Sequence, residues 1–157
     1  MKDPDDTARF NMSLAANLAG KAINITKTTA PHAVSYSMTS YFGIRHGQAV
    51  SITLGEFLEY NNGVNEKDIA GNKSVEEVKR TTKELISMFG SNDAVEAKLK
   101  IKELMQSIGL KTRLSELGIQ RDEDLKLIIS KVNLERLKNN PREVTKESLE
   151  KMLKNIL

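Results

Sequence analysis

The sequence predicts an all-α domain of about seven to nine helices. Apolar residues recur at three- and four-residue intervals in one segment after another, and no segment alternates with period two for long. Those segments begin at Asp, Ser or Thr and end at Gly, Pro or Asn, the residues that start and stop helices. Charge is also divided unevenly. Residues 1–64 hold 5 of the 24 Lys/Arg and 5 of the 21 Asp/Glu, and from Thr28 to Gly55 the only formal charge is Arg45. An unpaired buried ion is costly, so an uncharged stretch is what burial demands. The first third therefore reads as interior and the remainder as amphipathic helices with a wet face.

Asp3 or Asp5 can cap a helix that starts near Pro4 or Asp6, where acids suit the helix dipole. Leu14, Leu18, Ala22 and Ile25 keep helical spacing, while Ala15, Ala16, Ala19 and Gly20 leave the rest of the helix thin. Small residues admit a close neighbour, which predicts a place in the core. The Thr run and Pro31 mark a break. A second helix is expected from about Pro31 to Tyr41, stopped by Gly43. A third runs from about His46 to Tyr60 and ends in Asn61-Asn62-Gly63.

Residues 64–73 read as loop. Ser74-x-x-Glu77 is a capping box opening a helix with Val78, Leu85, Ile86, Met88 and Phe89 inward. Ser91-Asn92-Asp93 starts another, with Val95, Leu99, Leu104, Met105 and Ile108 inward. Leu114 to Gly118 reads as a short helical turn. Asp122 is expected to cap a helix through Leu125, Ile128 and Ile129, and a further short turn fits Val132 to Asn140. Thr145 caps a final helix with Leu149, Met152, Leu153, Ile156 and Leu157 on one side. At 157 residues, one domain is the default. We take 1–157 as a single helical domain, with 1–62 and 74–157 as its two parts.

Several function classes are disfavoured. With no Cys, there are no disulfides, thiolate nucleophiles or sulfur-ligated zinc, which fits a reducing cytoplasm. The polar, acidic N-terminus lacks a signal-peptide core, and no apolar run is long enough to span a membrane. Net charge is only +3, and aromatics are 4% with no Trp. Base-stacking platforms are therefore scarce, and no nucleic-acid partner is expected.

His32 and His46 are the only histidines, and both lie in the uncharged stretch. Neutral imidazole is the commonest metal ligand. Their separation of fourteen is not the i, i+3 or i+4 spacing of ligands on one helix. Two helices joined through Gly43 could instead bring both rings into one cleft. A catalytic metal needs at least three protein ligands. The nearest downstream carboxylate is Glu56, ten residues beyond His46 and about three turns along its helix. The sequence thus offers part of a metal site. The structural alternative for each imidazole is a hydrogen-bonded core or rim position. Ser35, Ser37, Thr28 and Thr29 are expected to bond local backbone.

Ala15 to Tyr36, with Thr-Lys-Thr-Thr-Ala-Pro-His-Ala at its centre, is followed by Phe42-Gly-Ile-Arg-His-Gly-Gln-Ala-Val50 and Leu54-Gly-Glu-Phe-Leu-Glu-Tyr-Asn61. This wording resembles the C-terminal helical domain of iron-containing (group III) alcohol dehydrogenases, and most of all the branch with phosphonoacetaldehyde reductases. The matching part covers about residues 8–61; beyond it the likeness is one of helical character. The resemblance implies the dehydroquinate synthase-like helical fold and a metal, Fe2+ or Zn2+, held by an Asp and three His between two domains. It carries two of those positions onto His32 and His46. The Asp and the remaining His would lie upstream of Met1. The N-terminal domain that binds NAD(P) would be absent, since no strand, Gly-rich turn and helix occur in sequence here.

The family's implied substrates are small alcohols or aldehydes. Tyr36, one turn after His32, could line the substrate pocket, although core packing is the plainer reading. Arg45 stands where the family often has Pro and could meet an anionic group such as a phosphonate. Gln48 stands where this branch often has His, and Gly55 replaces a frequent Pro. The chain thus reads as the metal-site half of a dehydrogenase, inactive alone, whose partner is the nucleotide-binding domain or a separate chain carrying it. A non-catalytic helical binding or assembly module is the alternative. The dehydroquinate synthase-like group shares a His-Gly-x-Ala-Val element, but Phe57-Leu-Glu-Tyr-Asn61 argues against it. A cleft normally covered by another domain would promote homo-oligomers.

Overall fold

The computed structural model describes residues 3–157, which form eight α-helices and one 3-10 turn. The α-helices are α1 (Asp6–Thr26), α2 (Ala30–Phe42), α3 (His46–Asn62), α4 (Val75–Met88), α5 (Ala94–Ser107), α6 (Asp122–Ser130), α7 (Leu134–Leu137) and α8 (Lys146–Asn155). The 3-10 turn is Ser115–Leu117. Among the described residues there is no strand, only an isolated antiparallel bridge between Ile69 and Arg142.

The centre of the fold is the α2–α3 hairpin. Gly43 turns it with φ +66°, a conformation that costs a side-chain-bearing residue free energy. Its N–H donates to the Thr39 carbonyl at 3.1 Å, and the next N–H, of Ile44, donates to Met38. Ala30, Ala33, Val34 and Met38 of α2 face Ala49, Ile52 and Phe57 of α3 in one buried cluster. α3 packs in turn on α4, α5 and α8, and α2 packs on α6 and α7.

Contact between α3 and α5 is close because both helices are thin there. A Cβ on Gly55 would stand 3.0 Å from Cγ of Lys98 and 3.3 Å from its Cα. That explains why Gly occupies this position. Beside it, Glu56 is 4% exposed and forms an ion pair with Lys98 while accepting from Asn155 Nδ2 at 3.1 Å. Lys98 also reaches Glu59 at 3.0 Å. One cation thereby fastens α5 to α3, and one amide fastens α8 to the same carboxylate.

Several expected caps are present. Asp5 accepts from the Ala8 N–H, Ser74 and Glu77 form the reciprocal box, and Thr145 caps α8. Asp122 does not cap its helix but is its first residue. Asp124 does the work instead, accepting from the backbone N–H groups of Gln120 and Arg121 and from the Arg121 guanidinium. That guanidinium holds the Asp124 carboxyl down to a pKa of about 2.

Three expectations about burial are corrected. No residue of α1 is buried; Phe10, Leu18 and Ile25 all face outward, the last at 82% exposure. The small face of α1 meets nothing among the described residues, so thinness alone does not place it in the core. On α4, Val75, Val78, Thr82 and Ile86 point inward, while Leu85 and Met88 are exposed. On α5, Ala94, Ala97, Ile101 and Met105 are buried, and Val95, Leu99, Leu104 and Ile108 are exposed. The tight approach of α5 to α3 selects its alanine face over its leucine face.

Candidate metal centre

The hairpin delivers the two histidines. His32 is the third residue of α2 and His46 the first of α3, so Gly43 reverses the chain between them. Their ring centroids lie 5.5 Å apart with planes tilted by 58°. His46 is exposed and His32 half-buried. Burial first, and then the neighbouring His46 and Arg136, push the His32 pKa below its ordinary value. His32 is thus biased to the neutral form, the form that ligates metals.

Ser35 ties the pair together. Its hydroxyl donates to the His32 carbonyl at 2.8 Å and lies 3.3 Å from Nδ1 of His46. With its one proton committed, the hydroxyl can only accept from that ring nitrogen. His46 then carries its proton on Nδ1 and presents Nε2 with a free lone pair. Ser35 does bond local backbone as expected, and so does Ser37, which donates to Val34. The second contact of Ser35 was not legible from spacing.

Tyr36 is not a core residue. It is 39% exposed, and its ring centroid stands 5.8 Å from that of His46. The guanidinium carbon of Arg136 also lies over this ring, 4.7 Å from its centroid. Arg136 belongs to the short helix α7, whose cap Asn133 accepts from the Arg136 N–H at 3.0 Å. It also donates to Thr28 Oγ1 at 3.4 Å, and the Thr28 carbonyl accepts from Asn139. Arg136 lies 104 residues beyond His32 and 90 beyond His46, and sequence spacing gave no sign of it.

Arg45 is the exposed N-cap residue of α3, and with Phe42, Gly43, Ile44 and Gln48 it lines a separate cavity of about 390 Å³. Gln48 is buried and structural. Its amide donates to the Lys111 carbonyl and accepts from the Lys111 N–H, at 2.8 and 2.9 Å. It therefore clamps the α5–α6 connection rather than facing the imidazoles.

The imidazole pair fits a shared metal ion. With Zn–N bonds of about 2.0–2.1 Å and a ring centroid about 1.1 Å behind each nitrogen, a tetrahedral angle puts two ligating rings about 5.1–5.2 Å apart. The observed 5.5 Å is within about 0.4 Å of that spacing. Among the described residues, however, no group of three or more His, Asp or Glu side chains converges. Glu56 is committed to Lys98 and Asn155.

The family model for the C-terminal part of the Fe-containing alcohol dehydrogenase family matches residues 1–157. A phosphonoacetaldehyde reductase of Streptomyces viridochromogenes is 33% identical over 150 residues, which make up 96% of this chain and 37% of that protein. An NADP-dependent alcohol dehydrogenase 3 of Entamoeba histolytica is 36% identical over 118 residues, 74% of this chain and 26% of that one. Among solved structures, a sulfoacetaldehyde reductase from Bifidobacterium kashiwanohense, in complex with NAD+, superimposes with a TM-score of 0.74 at 30% identity, covering 97% of this chain and 37% of that one. A 1,3-propanediol oxidoreductase has the same fold, with a TM-score of 0.70 at 23% identity. The likeness thus runs far beyond residue 61, and the chain spans little more than a third of the length of the first of these relatives. No helix among the described residues is long and apolar enough to cross a membrane.

Proposed function

Because the chain belongs to the Fe-containing alcohol dehydrogenase family, as its C-terminal helical domain, we propose that it is the metal-binding part of an NAD(P)-dependent alcohol dehydrogenase or aldehyde reductase. His32 and His46 are two of the ligands of one catalytic metal ion, Fe2+ or Zn2+. The observation that carries this reading is the 5.5 Å separation of their rings. The remaining ligands and the nicotinamide site come from protein outside these residues, so the chain alone does not turn over substrate. The apolar residues exposed along α1, Phe10, Leu18 and Ile25 among them, supply a face on which that protein packs.

Bound there, the ion would act as a Lewis acid on a carbonyl oxygen while the nicotinamide exchanges hydride with the carbon. The chain's own residues do the positioning. Ser35 fixes the His46 tautomer through Nδ1, which leaves Nε2 for the ion. Burial, then His46 and Arg136, bias His32 toward the neutral form. Tyr36, whose exposed ring touches both His46 and Arg136, is the side chain placed to contact the substrate. Arg45, the N-cap residue directly before His46, is the second basic residue that could meet an anionic group, although it lines a separate cavity. The substrate is a short aldehyde, and the names of the two reductases support one carrying an acidic group.

Zinc titration of the isolated chain, followed by native mass spectrometry, tests the proposal. One weakly held ion per chain is expected, lost in His32→Ala and in His46→Ala alike. Equal metal binding by wild type and both variants would favour a non-catalytic helical module instead.

A further inference from the structure

We propose that Arg136 is the residue that receives the anionic group of the substrate, with Tyr36 as the spacer that sets its distance from the metal-bound end. The inference rests on the metal-site reading above and deepens it.

Arg136 and His46 both stand against one phenol ring, the guanidinium carbon 4.7 Å and the imidazole centroid 5.8 Å from its centre. A two-carbon aldehyde with a terminal oxyacid is about one aromatic ring long, so it can run along Tyr36 with its two ends at the two groups. The guanidinium has no carboxylate partner among the described residues. Its neighbour Glu135 pairs with Lys138 instead. Among the described residues its side chain donates only to the Thr28 hydroxyl, which leaves most of its five donors available. A planar fork of donors matches the oxygens of a phosphonate, sulfonate or carboxylate better than an ammonium does.

The space beside Arg136 carries the same sign. A cavity of about 510 Å³ opens between the end of α1 and α7, lined by Lys27, Thr28, Arg136, Lys138 and Asn139. Glu135 is its only acid. Position is also secured, because the Asn133 cap and the ring of Tyr36 hold the base and the head of Arg136.

The test is NMR titration of the 157-residue chain at low ionic strength with 2-hydroxyethylphosphonate, and with 1,2-propanediol as the uncharged comparison. The shifts are read at the Tyr36 ring. The phosphonate should bind at least about tenfold more tightly than the diol. Arg136→Gln should erase that preference, and Arg136→Lys should restore part of it. Loss of preference in Arg45→Gln with retention in Arg136→Gln would overturn the assignment, as would no preference in the wild type. His32→Ala separates this inference from the metal-site reading. A preference that survives in His32→Ala supports Arg136 as an anion site even if zinc fails to bind the histidines. Loss of the preference in His32→Ala, with Arg136→Gln still selective, would contradict it.

Discussion

The hydroxyl of Ser35 lies 3.3 Å from Nδ1 of His46 while donating its own proton to the carbonyl of His32. One side chain on α2 therefore controls both the proton position and the orientation of the imidazole on α3. Removing such a partner ordinarily weakens metal binding by about 10- to 100-fold. Ser35→Ala should lower the zinc affinity of the chain by about tenfold, measured by competition with a chromophoric chelator, without changing its helix content.

His32 gives a pH prediction. Its pKa lies below 6.5 through burial, with His46 and Arg136 adding to the effect. As pH falls past 6.5, the unfolded chain takes up this proton before the folded chain does. Stability from His32 is therefore complete above 6.5 and is lost as pH falls from there to the folded-state value. In an NMR titration His32 should protonate at lower pH than free imidazole. Arg136→Gln should move it back upward.

The Glu56–Lys98 pair tests how α5 is held. Glu56 is nearly inaccessible while Lys98 is partly exposed, so breaking the pair costs less than in a dry interior. Lys98→Met should destabilise the fold by about 1–3 kcal/mol, read as a lower urea midpoint. Adding Glu56→Gln to Lys98→Met should recover part of that loss.

The position of α1 makes a paired prediction. Leu18→Glu should change the stability of the isolated chain by no more than about 0.5 kcal/mol, as exposed substitutions usually do. Leu125→Ala, at a buried site of α6, should cost about 2–5 kcal/mol. Comparable losses from both would mean that α1 packs into the core after all.

Helix by helix, the fold was legible where local chemistry decides it. Gly43, the Ser74–Glu77 box, Asp93 and Thr145 all act at helix ends, and their signals lie within a few residues. Which side of a helix faces inward was less legible. α5 turns Ala94 and Ala97 inward because Gly55 and Lys98 bring α3 so near, and no spacing within α5 contains that fact. α1 has the composition of a buried helix, but nothing among the described residues covers it. At the site, the uncharged stretch and the Gly43 turn indicated the two imidazoles. Arg136 did not stand out, because tertiary folding alone brings α7 to Tyr36.

The most direct test of a shared metal centre is a long-range 1H–15N spectrum of the two imidazoles during zinc titration. Both rings should respond together, with the nitrogen shift at Nε2 of His46 while its Nδ1 stays protonated. Two independent transitions, or a response confined to one ring, would contradict the account.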